Sequence, residues 1–225
     1  MSKDLLDHSE ELAEEAGVAG RCSFLQAPAD DLSALEDASV GAVTTRSVLI
    51  YVADKRRAFE EFHRVLKPGG RLSIFEPINR FGSRTHSIEN GFFAGYDVTS
   101  VLDLARKVWS VYERIQPPDT DPMLDFDERD LLELAESVGF EEVHLDYEAE
   151  VTPGDRATWG KIRDWNTFLE SSGNPKIPTM KEVMNETLTP EEIEHFTEYL
   201  RPLVERNERT ARTASAYLWA VKGGA

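Results

Sequence analysis

The sequence predicts an α/β protein built on a largely parallel sheet with helices on its faces, and three observations carry that expectation. A β-branched run at residues 40–48 is followed by a helical stripe at 54–66 and a second apolar strand at 71–75. Parallel strands need such a crossover. The turn into the second strand is Lys67-Pro68-Gly69-Gly70; proline presets φ at its first central position and glycine permits φ > 0 at the next. The composition is that of a globular chain, with 225 residues, 40% hydrophobic and 30% charged, long enough for one large core.

Residues 4–16 set Leu5, His8, Leu12 and Ala16 on one helical stripe, and Gly17 stands where a helix stops. The run 22–26 reads as a short apolar strand, and its Cys22 is expected to be a buried structural thiol. As the single cysteine it excludes an internal disulfide and a Cys-based zinc site. An acidic loop, Ala29-Asp30-Asp31-Leu32, leads to residues 40–48, read as a buried strand. Ala58, Phe59, Phe62, Val65 and Leu66 share the core side of the helix at 54–66, and the strand at 71–75 stops at Pro77.

Residues 80–96 are rich in glycine and aromatics, and a helix over 98–115 closes at Pro117-Pro118. Asp127 caps a helix running to residue 138, with Asp130 at the capping-box position and Gly139 just past the end. Residues 143–151 alternate apolar and polar, a strand of period two, and 214–221 form the last strand. The interval between them is mostly helical. Thr189, Pro190 and Glu192 start a helix there, with Ile193, Phe196, Leu200 and Leu203 as its stripe. Pro202 is expected to kink or split it. Trp159, Trp165 and Phe168 fit a helix-packing stripe better than the wall of an apolar pocket.

Charge narrows the function. Forty-two acidic against 25 basic side chains leave a net −17, which repels nucleic-acid phosphates and anionic membranes. The amino terminus is acidic and amphipathic, unlike a signal peptide, and no apolar run approaches the roughly 20 residues that cross a bilayer. A cytoplasmic protein is expected. There is no metal-ligand spacing, nucleophile elbow or Walker loop. His63 reads as partly exposed scaffold, His144 as outward on its strand and His195 as lying on a polar helix face.

Three segments in order resemble the class I, Rossmann-like S-adenosylmethionine-dependent methyltransferases, in the branch that modifies small molecules. They are Ala29-Asp30-Asp31-Leu32, the strand from residue 40 leading to Val52, and Arg64-Val65-Leu66-Lys67-Pro68-Gly69-Gly70. The resemblance is sharp over roughly a third of the chain and topological beyond it. It implies a mostly parallel sheet of order 3-2-1-4-5-7-6, with strand seven antiparallel and a helical insertion before it. Residues 40–48 would be strand four.

The family holds its cofactor first on a glycine-rich turn after strand one, and then by an acid ending strand two. No two glycines here stand as G-x-G, and Ser2 aligns with the serine that follows the ribose acid. The chain is therefore expected to be truncated at its amino terminus, lacking strands one and two, by a mis-called start or as a fragment. Strand four would then be an unpaired edge, and the chain as it stands would be inactive or weak. A single domain over 1–225 is expected. Residues 1–80 would form the cofactor-side half, 81–125 a lid-like segment and 126–152 a helix and strand. The helical insertion would cover 153–210 and the last strand 211–225.

The resemblance implies S-adenosylmethionine as cofactor. Ala29 and Asp30 occupy positions matching the adenine loop, although Pro28 replaces an aspartate common in relatives. Thr45, Arg46 and Ser47 lie where the methionine part is lined. Glu76, His86 and Tyr96 are the candidates for a general base, since deprotonating an acceptor needs a group within hydrogen-bond reach. The expected partner is a small-molecule methyl acceptor, with no nucleic acid or membrane, and a homodimer is compatible with the chain. The alternative reading is a non-catalytic remnant acting as a binding or dimerisation module. A dehydrogenase is the other α/β rival, and the acidic loop followed by Lys67-Pro68-Gly69-Gly70 argues against it.

Overall fold

The computed structural model describes residues 3–85, 87–156, 164–172 and 177–224. Its strands are β1 (Val40–Arg46), β2 (Leu66–Pro77), β3 (Phe92–Phe93), β4 (Tyr96–Asp97), β5 (Phe140–Pro153) and β6 (Thr210–Lys222). The main sheet has the order β1-β2-β6-β5, and β3 pairs antiparallel with β4 in a separate hairpin. That order is the expected 4-5-7-6 portion of the family's sheet. The helices are α1 (Lys3–Glu15), α2 (Lys55–Val65), α3 (Asn79–Thr85), α4 (Leu102–Ile115), α5 (Glu128–Ser137), α6 (Trp165–Glu170), α7 (Met180–Thr187) and α8 (Pro190–Arg206).

By contact density the chain divides into two compact units, one of Met1–Ile74, Leu132–His144 and Leu218–Ala225, the other of Phe75–Leu131 and Leu145–Tyr217. The core of the first is the buried stripe of α2 with its neighbours. Ala58, Phe59, Phe62, Val65 and Leu66 are all buried, as are Leu49, Leu72, Ile74 and Leu218. Asp54 caps α2 by accepting from the Arg57 N–H. At its other end, Lys222 of β6 donates to the His63 and Leu66 carbonyls at 2.7 and 2.8 Å, a cation where the helix dipole favours one. His63 stands edge-on to Phe140 at 5.1 Å and is half-buried scaffold, as expected. Burial, and then the nearby Lys222 charge, hold its pKa below the usual value.

The second unit packs α4, α6, α7 and α8 around Val101, Ala105, Val108, Phe168, Val183, Phe196 and Leu200. Capping boxes start α7 at Thr179 and α8 at Thr189. Trp165 and Phe168 stack at 5.5 Å within this core, and Phe168 also lines a cavity, so packing and pocket wall are not alternatives for it; Trp159 lies outside the described residues. In the hairpin, Ala94 and Gly95 both take positive φ, 50° and 86°, as a tight two-residue turn between right-twisted strands requires.

Several expectations are corrected. Residues 22–26 form no strand, although Cys22 is extended (φ −109°, ψ 145°), because no described strand pairs with them. Cys22 is exposed. The stripe on α1 faces solvent, with Leu5 63% and Leu12 50% exposed. β1 is not a buried strand: it stands at the edge of the sheet, its residues alternating exposed and half-buried. The strand expected at 71–75 begins at Leu66, with Gly69 at φ +73° inside the turn. α8 runs through Pro202 as one element.

Candidate functional site

Two places concentrate chemistry, one in each unit. In the first unit β1 ends at Arg46, and the chain turns sharply into a buried 3-10 turn, Leu49–Tyr51. Ser47 makes that turn in the left-handed region at φ +52°, a conformation costly for a residue with a Cβ. One residue before Arg46, the Thr45 hydroxyl is buried and has no hydrogen-bond partner among the described residues. A buried polar group without a partner costs about 1–3 kcal/mol. A left-handed residue and an orphaned hydroxyl thus fall within three residues at the carboxyl end of a strand, the edge at which open parallel sheets commonly bind ligands. Arg46 is exposed between them.

The acidic loop is held from α2. Pro28 and Asp31 close a turn, with Ala29 and Asp30 at its centre. Asp31 accepts from the Ser33 N–H at 3.1 Å, and hydrogen bonds from Ser33, hydroxyl first and then backbone, hold its carboxyl below the usual range. Asp30, half-buried, makes no hydrogen bond or ion pair among the described residues, so its carboxylate remains available to a ligand.

The anchor of this loop is a pair that sequence reasoning missed. Glu61 is buried at 1% exposure. One of its oxygens accepts from the Leu32 N–H at 2.8 Å. Arg64 donates twice to the same carboxylate and reaches the Leu32 and Leu35 carbonyls at 2.8 and 2.9 Å. Its remaining contact is Asp37 at 2.7 Å, and Arg57 pairs with Glu61 at 3.0 Å. Hydrogen bonding from Arg64 holds the Glu61 carboxyl below its usual pKa. The available signal is a Glu–Arg pair at i,i+3 on a helix whose apolar positions Ala58, Phe59, Phe62 and Val65 are all core.

The second place is a cavity of about 550 Å³ in the second unit. Phe93, Trp109, Tyr112 and Phe168 line it, with Glu89 and Glu113 among its polar residues. Burial, and then the Glu182 charge, push the Tyr112 phenol up to about 12. The aromatic content of 81–125 was legible, but its convergence with α6 and α7 was not, because those helices lie more than 40 residues further along the chain.

The structure does not gather the base candidates into an open site. Glu76 is fully buried near the end of β2. Tyr96 is 2% exposed and packs edge-on to Phe168 at 6.0 Å, and burial raises its pKa, which disfavours the phenolate. His86 lies outside the described residues.

Comparison with known proteins finds its matches over the first part of the chain. Residues 1–74 match the methyltransferase domain family. The chain is 30% identical over 93 residues to the tRNA 5-carboxymethoxyuridine methyltransferase of Escherichia coli K12, covering 41% of this chain and 35% of that protein. It is 41% identical over 75 residues to the ubiquinone/menaquinone biosynthesis C-methyltransferase UbiE of Pseudomonas putida GB-1, covering 32% and 29%. The chain thus spans about a third of the length of these curated relatives. Among solved structures, the YcgJ protein of Bacillus subtilis superposes with TM-score 0.52 at 14% identity, covering all of this chain and 80% of that one. The [4+2]-cyclase SpnF superposes with TM-score 0.50 at 18% identity, covering all of this chain and 65% of that one. These likenesses speak for the fold. Residues 1–74 thus match a methyltransferase domain family, and the chain shares its fold with these solved structures.

Proposed function

We propose that the protein serves S-adenosylmethionine-dependent methyl transfer to a small-molecule acceptor. The observation that carries this reading is the end of β1. The orphaned Thr45 hydroxyl and the left-handed Ser47 lie in the segment that, by resemblance to the family, lines the methionine part of the cofactor. The residues present fit that group: Thr45 offers a buried donor and acceptor, Ser47 a turned backbone, and Asp30 a carboxylate able to accept from an exocyclic amine. Ala29 lends its backbone on the same loop. When bound, the cofactor supplies an electrophilic methyl on a sulfonium. The chain's own part is to hold and orient, and positioning and electrostatics can supply most of such a rate enhancement. A strong base is not required.

A small-molecule acceptor is favoured over nucleic acid by the net charge of −17, which opposes approach to a phosphate backbone, although one relative is named as a tRNA methyltransferase. Without a G-x-G turn among its 225 residues, the chain is expected to transfer weakly or not at all by itself. That same absence, together with β1 at the sheet edge, favours the second reading, a non-catalytic binding or dimerisation module. Titration of S-adenosylhomocysteine with Thr45→Val and Asp30→Ala variants tests the proposal. Weakening by both substitutions supports cofactor binding at these residues, and binding indifferent to both removes it.

A further inference from the structure

The cavity of the second unit carries an inference about ligand chemistry. Three of its lining rings form one packed cluster: Phe93 to Trp109 at 6.2 Å, Phe93 to Tyr112 at 6.4 Å and Trp109 to Tyr112 at 6.5 Å. Phe168 adds a fourth aromatic wall, and Glu89 and Glu113 are exposed carboxylates of the lining. Among the described lining residues there is no lysine or arginine. The faces of aromatic rings attract cations, most strongly where water is excluded, and carboxylates nearby add a field of the same sense. At about 550 Å³ the space is that of a small-molecule site, and a net charge of −17 raises the local concentration of cations around the whole surface. An anionic ligand would meet two like charges and no described counter-charge.

We infer that this cavity binds an organic ammonium ion with an apolar body, held over Trp109 and Tyr112 and drawn in by Glu89 and Glu113. The half-buried Tyr112 phenol, raised to about 12, stays neutral over the working pH range and leaves the two carboxylates as the cavity's charges.

Titration of the full chain by NMR, reading the Trp109 indole signal, tests the inference with four probes. These are choline, benzyltrimethylammonium, the neutral carbon isostere 3,3-dimethylbutan-1-ol, and pivalate as the anion. Choline is expected to bind roughly 2- to 30-fold tighter than its isostere, with pivalate weakest. The double variant Glu89→Gln/Glu113→Gln alters only exposed side chains, so its fold should be retained, and circular dichroism checks this. It is expected to lose most of the cation preference and of the salt dependence while keeping the affinity for the alcohol. Equal or tighter binding of the alcohol or of pivalate overturns the inference, as does the absence of any Trp109 shift with either cation.

Discussion

Glu61 and Thr45 show opposite uses of burial. Glu61 is buried and fully engaged, so removing its charge leaves Arg64 and the Leu32 N–H short of a partner. Glu61→Gln is expected to cost about 1–3 kcal/mol, the lower part of the range because Arg57 and Arg64 keep contact with water; urea unfolding reads it. The Glu61 carboxyl is depressed below its ordinary 4.5, so its contribution is complete above that pH and is lost as pH falls through the lower folded value. The stability gap between the natural chain and Glu61→Gln should therefore be constant near neutrality and close on acidification below 4.5. Thr45 is the reverse case, a hydroxyl buried without a partner. Thr45→Val should raise the stability of the ligand-free chain by about 1 kcal/mol, since an isosteric apolar group removes an unsatisfied atom. The same change should weaken S-adenosylhomocysteine binding roughly fivefold to tenfold. A substitution that stabilises the chain and weakens binding is the signature of a polar atom kept for a ligand; equal affinity in the two forms would contradict the assignment.

Elements with local causes were legible in the sequence. α2 was read from its apolar spacing, and the start of α8 from Thr189, Pro190 and Glu192. Thr189→Ala, which removes the hydroxyl that accepts from the Glu192 N–H and leaves the backbone N–H of residue 189 donating to the Glu192 carboxylate, should lower stability by about 1 kcal/mol, read as a shift in urea midpoint with an unchanged slope. Elements whose state depends on partners were not legible. Residues 22–26 carry a strand's composition, yet a strand forms only against a neighbour. Cys22 is consequently exposed where a core thiol was expected. Pro202 predicts a kink or a split in α8, and the structure shows no split. The helix continues as one element to Asn207, which ends it in the left-handed conformation at φ 53°. The two parts of the site differ in the same way. The end of β1 follows from resemblance over a contiguous stretch, whereas the aromatic cavity assembles from helices distant in sequence, and the Glu61–Arg64 anchor depends on a loop folding back onto α2.

For the molecule as a whole, the exposed apolar residues of the first unit are the informative surface. Leu5, Leu12 and Leu25 are 63%, 50% and 45% exposed, and β1 presents an edge, a combination that favours association. The double substitution Leu5→Lys/Leu12→Gln should change stability by less than about 0.5 kcal/mol while raising the concentration at which the chain remains monomeric, as read by sedimentation. Among the described residues no helix is long and apolar enough to cross a membrane, so these leucines are not part of a membrane-spanning helix. The central claim is that the end of β1 and the loop Ala29–Leu32 hold S-adenosylmethionine. Calorimetric titration of S-adenosylhomocysteine into the 225-residue chain, and into its Thr45→Val and Asp30→Ala variants, tests it most directly. Saturable binding that both substitutions weaken is the predicted result. No binding by the folded chain would contradict the account and leave a methyltransferase fold used as a binding module.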